Sequence, residues 1–216
     1  MFMKASIYFA MVLTVALAGC STVKYNTLEK VGIHKRDILV GNVEDARDAQ
    51  KEAQEEFQDA LQRFGTVVEI EETGLKKAYE QLKDEYDDSV DAAEEVSDEI
   101  DDVEQVAEDL FEEWAEEIEL YTDPNLKRDS QDKLRTTQRR YAEMLRSMQA
   151  AEKSMQPVLA TLRDNVLYLK HNLNAQAVGS LQGTFEGLKD DINVLVERMN
   201  QSIAESDQFI AEMSSS

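Results

Sequence analysis

The sequence predicts an all-α protein, a long antiparallel helical hairpin of coiled-coil type with flanking helices that complete a four-helix base. Three observations predict it. Ala, Glu, Asp, Leu and Gln dominate, with 8 Gly and 2 Pro in 216 residues, a composition of strong helix formers with few breakers. Apolar residues recur at steps of three and four through four long stretches, the period of a helix with one buried face. Charge is split between the two central stretches: Asp84 to Glu119 holds 19 acidic residues and no basic one, while Lys127 to Lys170 holds 10 basic and 5 acidic.

The first helix is expected from about Asp37, with Leu39, Val43, Ala46, Ala53, Phe57, Ala60, Phe64 and Val67 on its inner face. Gly65 and the segment ending at Gly74 mark its break, and the short strand-like run Thr66 to Ile70 reads as a frayed helix end or a bend. The second helix is expected over about Leu75 to Leu120. Its line Leu75, Tyr79, Leu82, Tyr86, Ser89, Ala93, Val96, Ile100, Val103, Ala107, Leu110, Trp114 sustains more than five heptads. Tyr121 to Asn125 is a turn, in which Thr122 or Asp123 can cap the third helix and Pro124 suits its first position. That helix carries Leu134, Tyr141, Met144, Met148, Ala151, Met155, Val158, Leu162, Val166, Leu169 and Leu173, with Pro157 expected to kink it. The fourth carries Leu181, Phe185, Leu188, Ile192, Leu195, Met199, Ile203, Phe209 and Met213. The polar patch His171 to Gly183 between them is compatible with either a turn or a bend.

A turn at Thr122–Pro124 pairs residues of the hairpin whose numbers sum to about 247. This places Val103 near Met144 and Val96 near Ala151. The same register sets Glu112 near Arg135, Glu108 near Arg139, Asp101 near Arg146 and Glu94 near Lys153. Apolar and charged patterns agree on it, and charge of this kind selects register and orientation.

Before the helices, Lys4 precedes an apolar run from Ala5 to Ala16, a charged region followed by a hydrophobic one too short to span a bilayer. Leu17-Ala18-Gly19-Cys20 follows and resembles the lipobox of bacterial lipoproteins. That resemblance implies diacylglyceryl transfer to the Cys20 sulfur, cleavage before it and a membrane anchor. Cys20 is the single cysteine, so a disulfide within one chain is excluded. Ser21 resembles the residue found in lipoproteins sorted to the outer membrane. The expected organisation is a signal peptide at 1–19, a lipidated tether at 20–36 and a helical domain at 37–213, in the cell envelope at the periplasmic face of the outer membrane.

The net charge of −22 argues against nucleic acid as a partner and against an anionic lipid surface. No metal, cofactor or catalytic constellation is expected. The acidic run lacks a calcium-loop pattern. His34 and His171 follow Val31 and Tyr168 by three residues, where a di-iron bundle needs Glu. A glycine-rich phosphate loop and a nucleophile elbow are both missing. Phe111, Trp114 and Tyr121 stand near the hairpin end, where they read either as plugs of the coiled coil or as a partner-binding tip. Asn172, Asn174 and Gln176 read as a polar layer fixing register, or as a ligand or partner site.

Two stretches, YNTLEKVGIHKRDILVGNVEDARDAQ (25–50) and VLYLKHNLNAQAVGSLQG (166–183), resemble a family of proteobacterial lipoproteins sharing a helical domain of unknown function. The resemblance implies a helical periplasmic lipoprotein and carries no catalytic residues. The function expected is a lipid-anchored, non-enzymatic scaffold or interaction protein. It would meet the membrane through its N-terminal lipid and bind an unidentified protein partner or itself. The alternative is a membrane-remodelling or envelope-stress protein that self-assembles through its hairpin, as phage-shock-type helical hairpins do.

Overall fold

The computed structural model describes residues 35–69 and 74–215. They form four helices: α1 (Lys35–Val67), α2 (Leu75–Glu119), α3 (Pro124–His171) and α4 (Ala175–Ser215). The chain runs up and down, and each helix packs on its sequence neighbours, with α4 closing the ring against α1. At about 1.5 Å per residue, α2 and α3 are roughly 70 Å long.

The apolar periodicity explains the packing. All eight inner-face residues expected on α1 are buried, as are Leu82, Val96, Ile100, Val103 and Ala107 on α2. Met144 to Leu169 on α3 and Leu181 to Met199 on α4 join them in one continuous core. Asp123 caps α3, its Oδ1 accepting from Asn125 N at 2.7 Å and Leu126 N at 3.4 Å, with Pro124 next in line. Helix α3 continues through Pro157, which lies on the exposed face. There the carbonyl that loses its partner can meet water.

Several expectations are corrected. The four-helix base extends along most of each central helix. Lys35 Nζ at the start of α1 pairs with Glu113 at 2.9 Å, and Arg36 donates to the carbonyl of Met213 near the end of α4. Four helices therefore run side by side over most of the length, and only the last turns of the α2–α3 hairpin project. Lys35 and Arg36 belong to α1, not to a tether ending at 36. Gly65 is helical, and a Cβ there would stand 3.2 Å from the Phe185 ring. Its smallness admits the stacking of Phe64 on Phe185, with centroids 6.1 Å apart and planes at 10°. Helices α3 and α4 are separated by a turn at 172–174, which leaves Leu173 exposed instead of in the heptad seam.

The expected ion pairs of the hairpin do not form. Arg135 binds Asp132 of its own helix, and Arg139, Arg146 and Lys153 make no ion pair among the described residues. Cations reach the acidic α2 from α1, through Lys35–Glu113 and Arg63–Glu85 (3.1 Å), and at the hairpin end through Lys127–Glu119 (2.8 Å). The hairpin itself is joined by Ser97 Oγ donating to Glu152 Oε1 at 2.7 Å and Gln149 Nε2 to Glu104 Oε1 at 2.6 Å. These numbers sum to 249 and 253, close to the expected register at one contact and several residues beyond it at the other.

A polar band crosses the middle of the bundle. Gln50 is fully buried, and neither its Nε2 nor its Oε1 finds a partner among the described residues; the same holds for Ser202 Oγ. Arg47–Asp207 (3.0 Å) and Gln54–Asn200 (3.4 Å) bracket Gln50 and Ser202 at one level of the α1–α4 contact. Ser206, also buried, turns its hydroxyl back to the Ser202 carbonyl at 2.8 Å.

Replacing Gln50 and Ser202 together, as Gln50→Leu with Ser202→Ala, should raise Tm. Each buried polar group without a partner costs about 1–3 kcal/mol, and 1 kcal/mol moves Tm by about 2–4 °C in a chain of this size. Thermal denaturation followed by circular dichroism measures it, and a fall in Tm would show that the amide is satisfied in the native protein.

The carboxyls of Glu56 and Glu99 are pushed above the usual 4.5 by burial, then by neighbours led by Asp88 for the first and Asp45 for the second. A carboxyl with a raised folded pKa binds its proton more readily folded than unfolded, so stability rises as pH falls through the raised values towards 4.5. Asp48 has the opposite sign. Its hydrogen bonds from Arg47 and Lys51 lower it to about 2, so its contribution is complete above the unfolded 3.8 and fades as pH falls through about 2. A melting series should therefore show Tm climbing as pH falls from 7 towards 4.5 and declining as it falls from 3.8 through about 2.

Candidate functional site

The end of the bundle at which α1 begins and α4 finishes is the most elaborated part of the molecule. Four helices give way to two there, and a cleft of about 670 Å³ opens between them. Leu110, Trp114 and Met213 line it with apolar surface, and Lys35, Glu113 and Lys133 carry charge around it. Lys35 is held by Glu113 and by the Asp109 carbonyl at 3.4 Å.

Phe111 and Trp114 serve this junction from inside. Phe111 meets Tyr141 of α3 edge-on, with centroids 5.4 Å apart and planes at 71°, and Tyr141 in turn lies 6.4 Å from Phe209 of α4. Trp114 is half-buried and its Nε1 donates to Ser130 Oγ at 2.9 Å, which joins α2 to α3 above the last level of α4. Burial, then Glu104 and Glu108, raises the Tyr141 phenol to about 12, so it stays protonated across the physiological range.

Tyr121 behaves differently from the other two tip residues. It is exposed in the α2–α3 turn, together with Leu120 (79% exposed) and Leu126 (55%). The two leucines escape sequence reasoning because they fall outside the heptad lines. Their position beside Pro124, where both helices end, is the signal that could have found them.

At the opposite end, Asn172 and Asn174 act on the turn between α3 and α4. Asn172 Nδ2 donates to the Tyr168 carbonyl at 2.9 Å, and Asn174 Oδ1 accepts from Ala177 N at 3.1 Å. They terminate one helix and start the next, and the buried polar layer lies instead at Gln50, Ser202 and Ser206. The Gln176 side chain is outside the described residues, as are Leu17, Ala18, Gly19 and Cys20. Below this turn, Asn165 links α3 to α4, accepting from Thr184 Oγ1 at 3.2 Å while donating to the Thr161 carbonyl at 2.6 Å.

Among the described residues no three His, Cys, Asp or Glu side chains are grouped to hold a metal ion, and no helix is long and apolar enough to cross a membrane. The chain belongs to the family described as "Protein of unknown function (DUF2959)", which it matches over residues 24–213. No curated protein and no solved structure matches it.

The Trp114–Ser130 bond should be measurable by a double-mutant cycle of Trp114→Phe and Ser130→Ala. A coupling of about 0.5–1.5 kcal/mol is expected for a neutral hydrogen bond. Coupling near zero in thermal or urea unfolding would mean that the indole packs there without the bond.

Proposed function

We propose that this member of a family of unknown function is a lipid-anchored, non-enzymatic scaffold of the bacterial cell envelope, held at the periplasmic face of the outer membrane. The observation that carries the reading is the lipobox-like Leu17-Ala18-Gly19-Cys20 at the end of a charged-then-apolar leader. A thioether-linked diacylglyceryl group supplies two chains, and two chains make a durable anchor where one holds marginally.

The rest of the chain suits a scaffold. Its apolar side chains are spent on a continuous seam between four long helices, and its outer faces are strongly acidic. A body of that kind stays soluble and repels anionic surfaces. Phe111 and Trp114, engaged in packing, leave Leu120, Tyr121 and Leu126 as the apolar groups presented at the hairpin end.

Cys20→Ala tests the anchor. The variant should leave the membrane fraction or accumulate uncleaved, with a changed gel mobility and no lipid mass by mass spectrometry. Unchanged membrane fractionation and mobility would remove the reading.

A further inference from the structure

We propose that the hairpin end rests in the interface of a zwitterionic lipid bilayer, with Leu120, Tyr121 and Leu126 as the inserted side chains. This rests on the lipid-anchor reading and adds a second point of attachment to it.

The first argument is position. The chain enters the fold at Lys35, whose side chain lies against Glu113 of α2. Leu120 is seven residues further along, about 10 Å beyond that level. The opposite end of the bundle is about 50 Å away, the length of α1. The 15 residue steps from Cys20 to Lys35 reach at most about 50 Å. An anchored chain therefore presents its hairpin end to the membrane easily, and its far end only at the limit of its reach.

The second argument is chemistry. The three side chains are exposed to water at the end of the molecule, where no other described element covers them. Leucine belongs in the acyl region and tyrosine at the headgroup level, with its ring in the apolar boundary and its hydroxyl in water. Arg128 follows on α3 and can extend its stem along the interface with its charge outward, while Lys127 is paired with Glu119.

Charge selects the lipid. Between 116 and 128 four carboxylates (Glu116, Glu117, Glu119, Asp123) face two cations (Lys127, Arg128). An anionic surface would repel this tip, whereas a phosphatidylethanolamine surface offers ammonium donors to it. The contact is small, but the anchor keeps the tip at a high local concentration, where a weak contact is populated.

The exposed group at the other end, Leu167, Tyr168 and Leu173, lies beside the α3–α4 turn and is too distant to share the contact.

The test uses the full-length lipidated chain in phosphatidylethanolamine–phosphatidylcholine vesicles, with and without brominated acyl chains. Trp114 is the single tryptophan, so Trp114→Phe combined with Tyr121→Trp moves the fluorophore to the tip. Flotation with the vesicles and at least twofold quenching by brominated lipid are expected for this variant. The quenching should be mostly lost when Leu120→Ser and Leu126→Ser are added, with the melting curve unchanged. Flotation without quenching would overturn the tip contact, leave the anchor standing and give the surface to a protein partner. Quenching that survives both serines would also overturn it. Failure to float would remove the anchor reading, and the present one with it.

Discussion

Ala46, Ala49, Ala53 and Ala60 on α1 share the core with Ala78, Ala92 and Ala93 on α2, and these two helices form the most extensive contact in the bundle. Asn42 Nδ2 reaching the Asp102 carbonyl (3.1 Å) and Arg63 reaching Glu85 set their register, which brings Ala53 level with Ala93. Methyl groups in place of larger side chains let the two backbones approach closely. Close approach draws the rims of both helices together, and both rims are rich in carboxylates. Burial at this contact, and after it the neighbouring carboxylates, opposes the ionisation of Glu56 and Glu99, one on each helix. The tightest apolar contact and the sharpest electrostatic opposition thus arise from one choice of small residues.

That opposition explains where the basic residues act. With α2 carrying 19 carboxylates and no basic residue over Asp84 to Glu119, its cations come from outside that stretch: Lys83 of α2 binds Asp87, Lys127 of α3 binds Glu119, and two more come from α1. Lys35 and Arg63 bind near the two ends of the α1–α2 contact. Of the basic residues of α3, Lys127 binds Glu119 at the hairpin end and Arg140 reaches Glu212 of α4, while Arg139, Arg146 and Lys153 sit on exposed faces and act across solvent. At such separations they are screened over about 10 Å at ordinary ionic strength and bias orientation without forming contacts. The charge split between α2 and α3 accompanies their pairing, while its specific bonds are Ser97–Glu152, Gln149–Glu104, Trp114–Ser130 and, at the hairpin end, Lys127–Glu119.

How much of this is legible in sequence follows from what periodicity can carry. A three-four repeat fixes which face of a helix is buried, so the four helices, their inner faces and the Asp123–Pro124 start of α3 can all be read in advance. Periodicity is silent about polar residues on a buried face. Gln50 falls on the inner face of α1, and Ser202 and Ser206 replace the expected Ile203 as the buried positions of α4, yet each looks like surface in composition. Nor does periodicity carry the local partners of long side chains, which is why cross-hairpin ion pairs follow from two helices considered alone, whereas Arg135 binds Asp132 of its own helix. Gly65 reads as a breaker because local propensity cannot see Phe185 arriving from 120 residues away. Asn172 and Asn174 hide in plain view, since a polar cluster between helices serves capping as readily as any site. For Tyr121 the turn is legible, but its exposure beside Leu120 and Leu126 emerges only once α1 and α4 are known to stop short.

The aromatic residues at the hairpin end follow from the same stopping short. Where α1 begins and α4 finishes, a four-helix section becomes a two-helix one, and two helices alone bury less of an aliphatic seam than four do. Larger groups must cover the area that the missing helices would have covered. Phe111, Tyr141 and Phe209 form a chain of ring contacts across α2, α3 and α4 at this level. Trp114 then takes over where α4 no longer reaches. Aromatic side chains bury 150–250 Å² each, and those of Tyr and Trp also carry a polar handle for a site that is half wet. The Trp114 handle is spent on Ser130, and burial, then Glu104 and Glu108, raises the Tyr141 phenol. Past Trp114 only Ile118 is still buried in the hairpin, and beyond it Leu120 and Leu126 are exposed with no described helix to lean on. Their exposure is the geometric remainder of a bundle that ends in two steps, and it leaves the apolar surface of the tip at the end where the chain enters the fold.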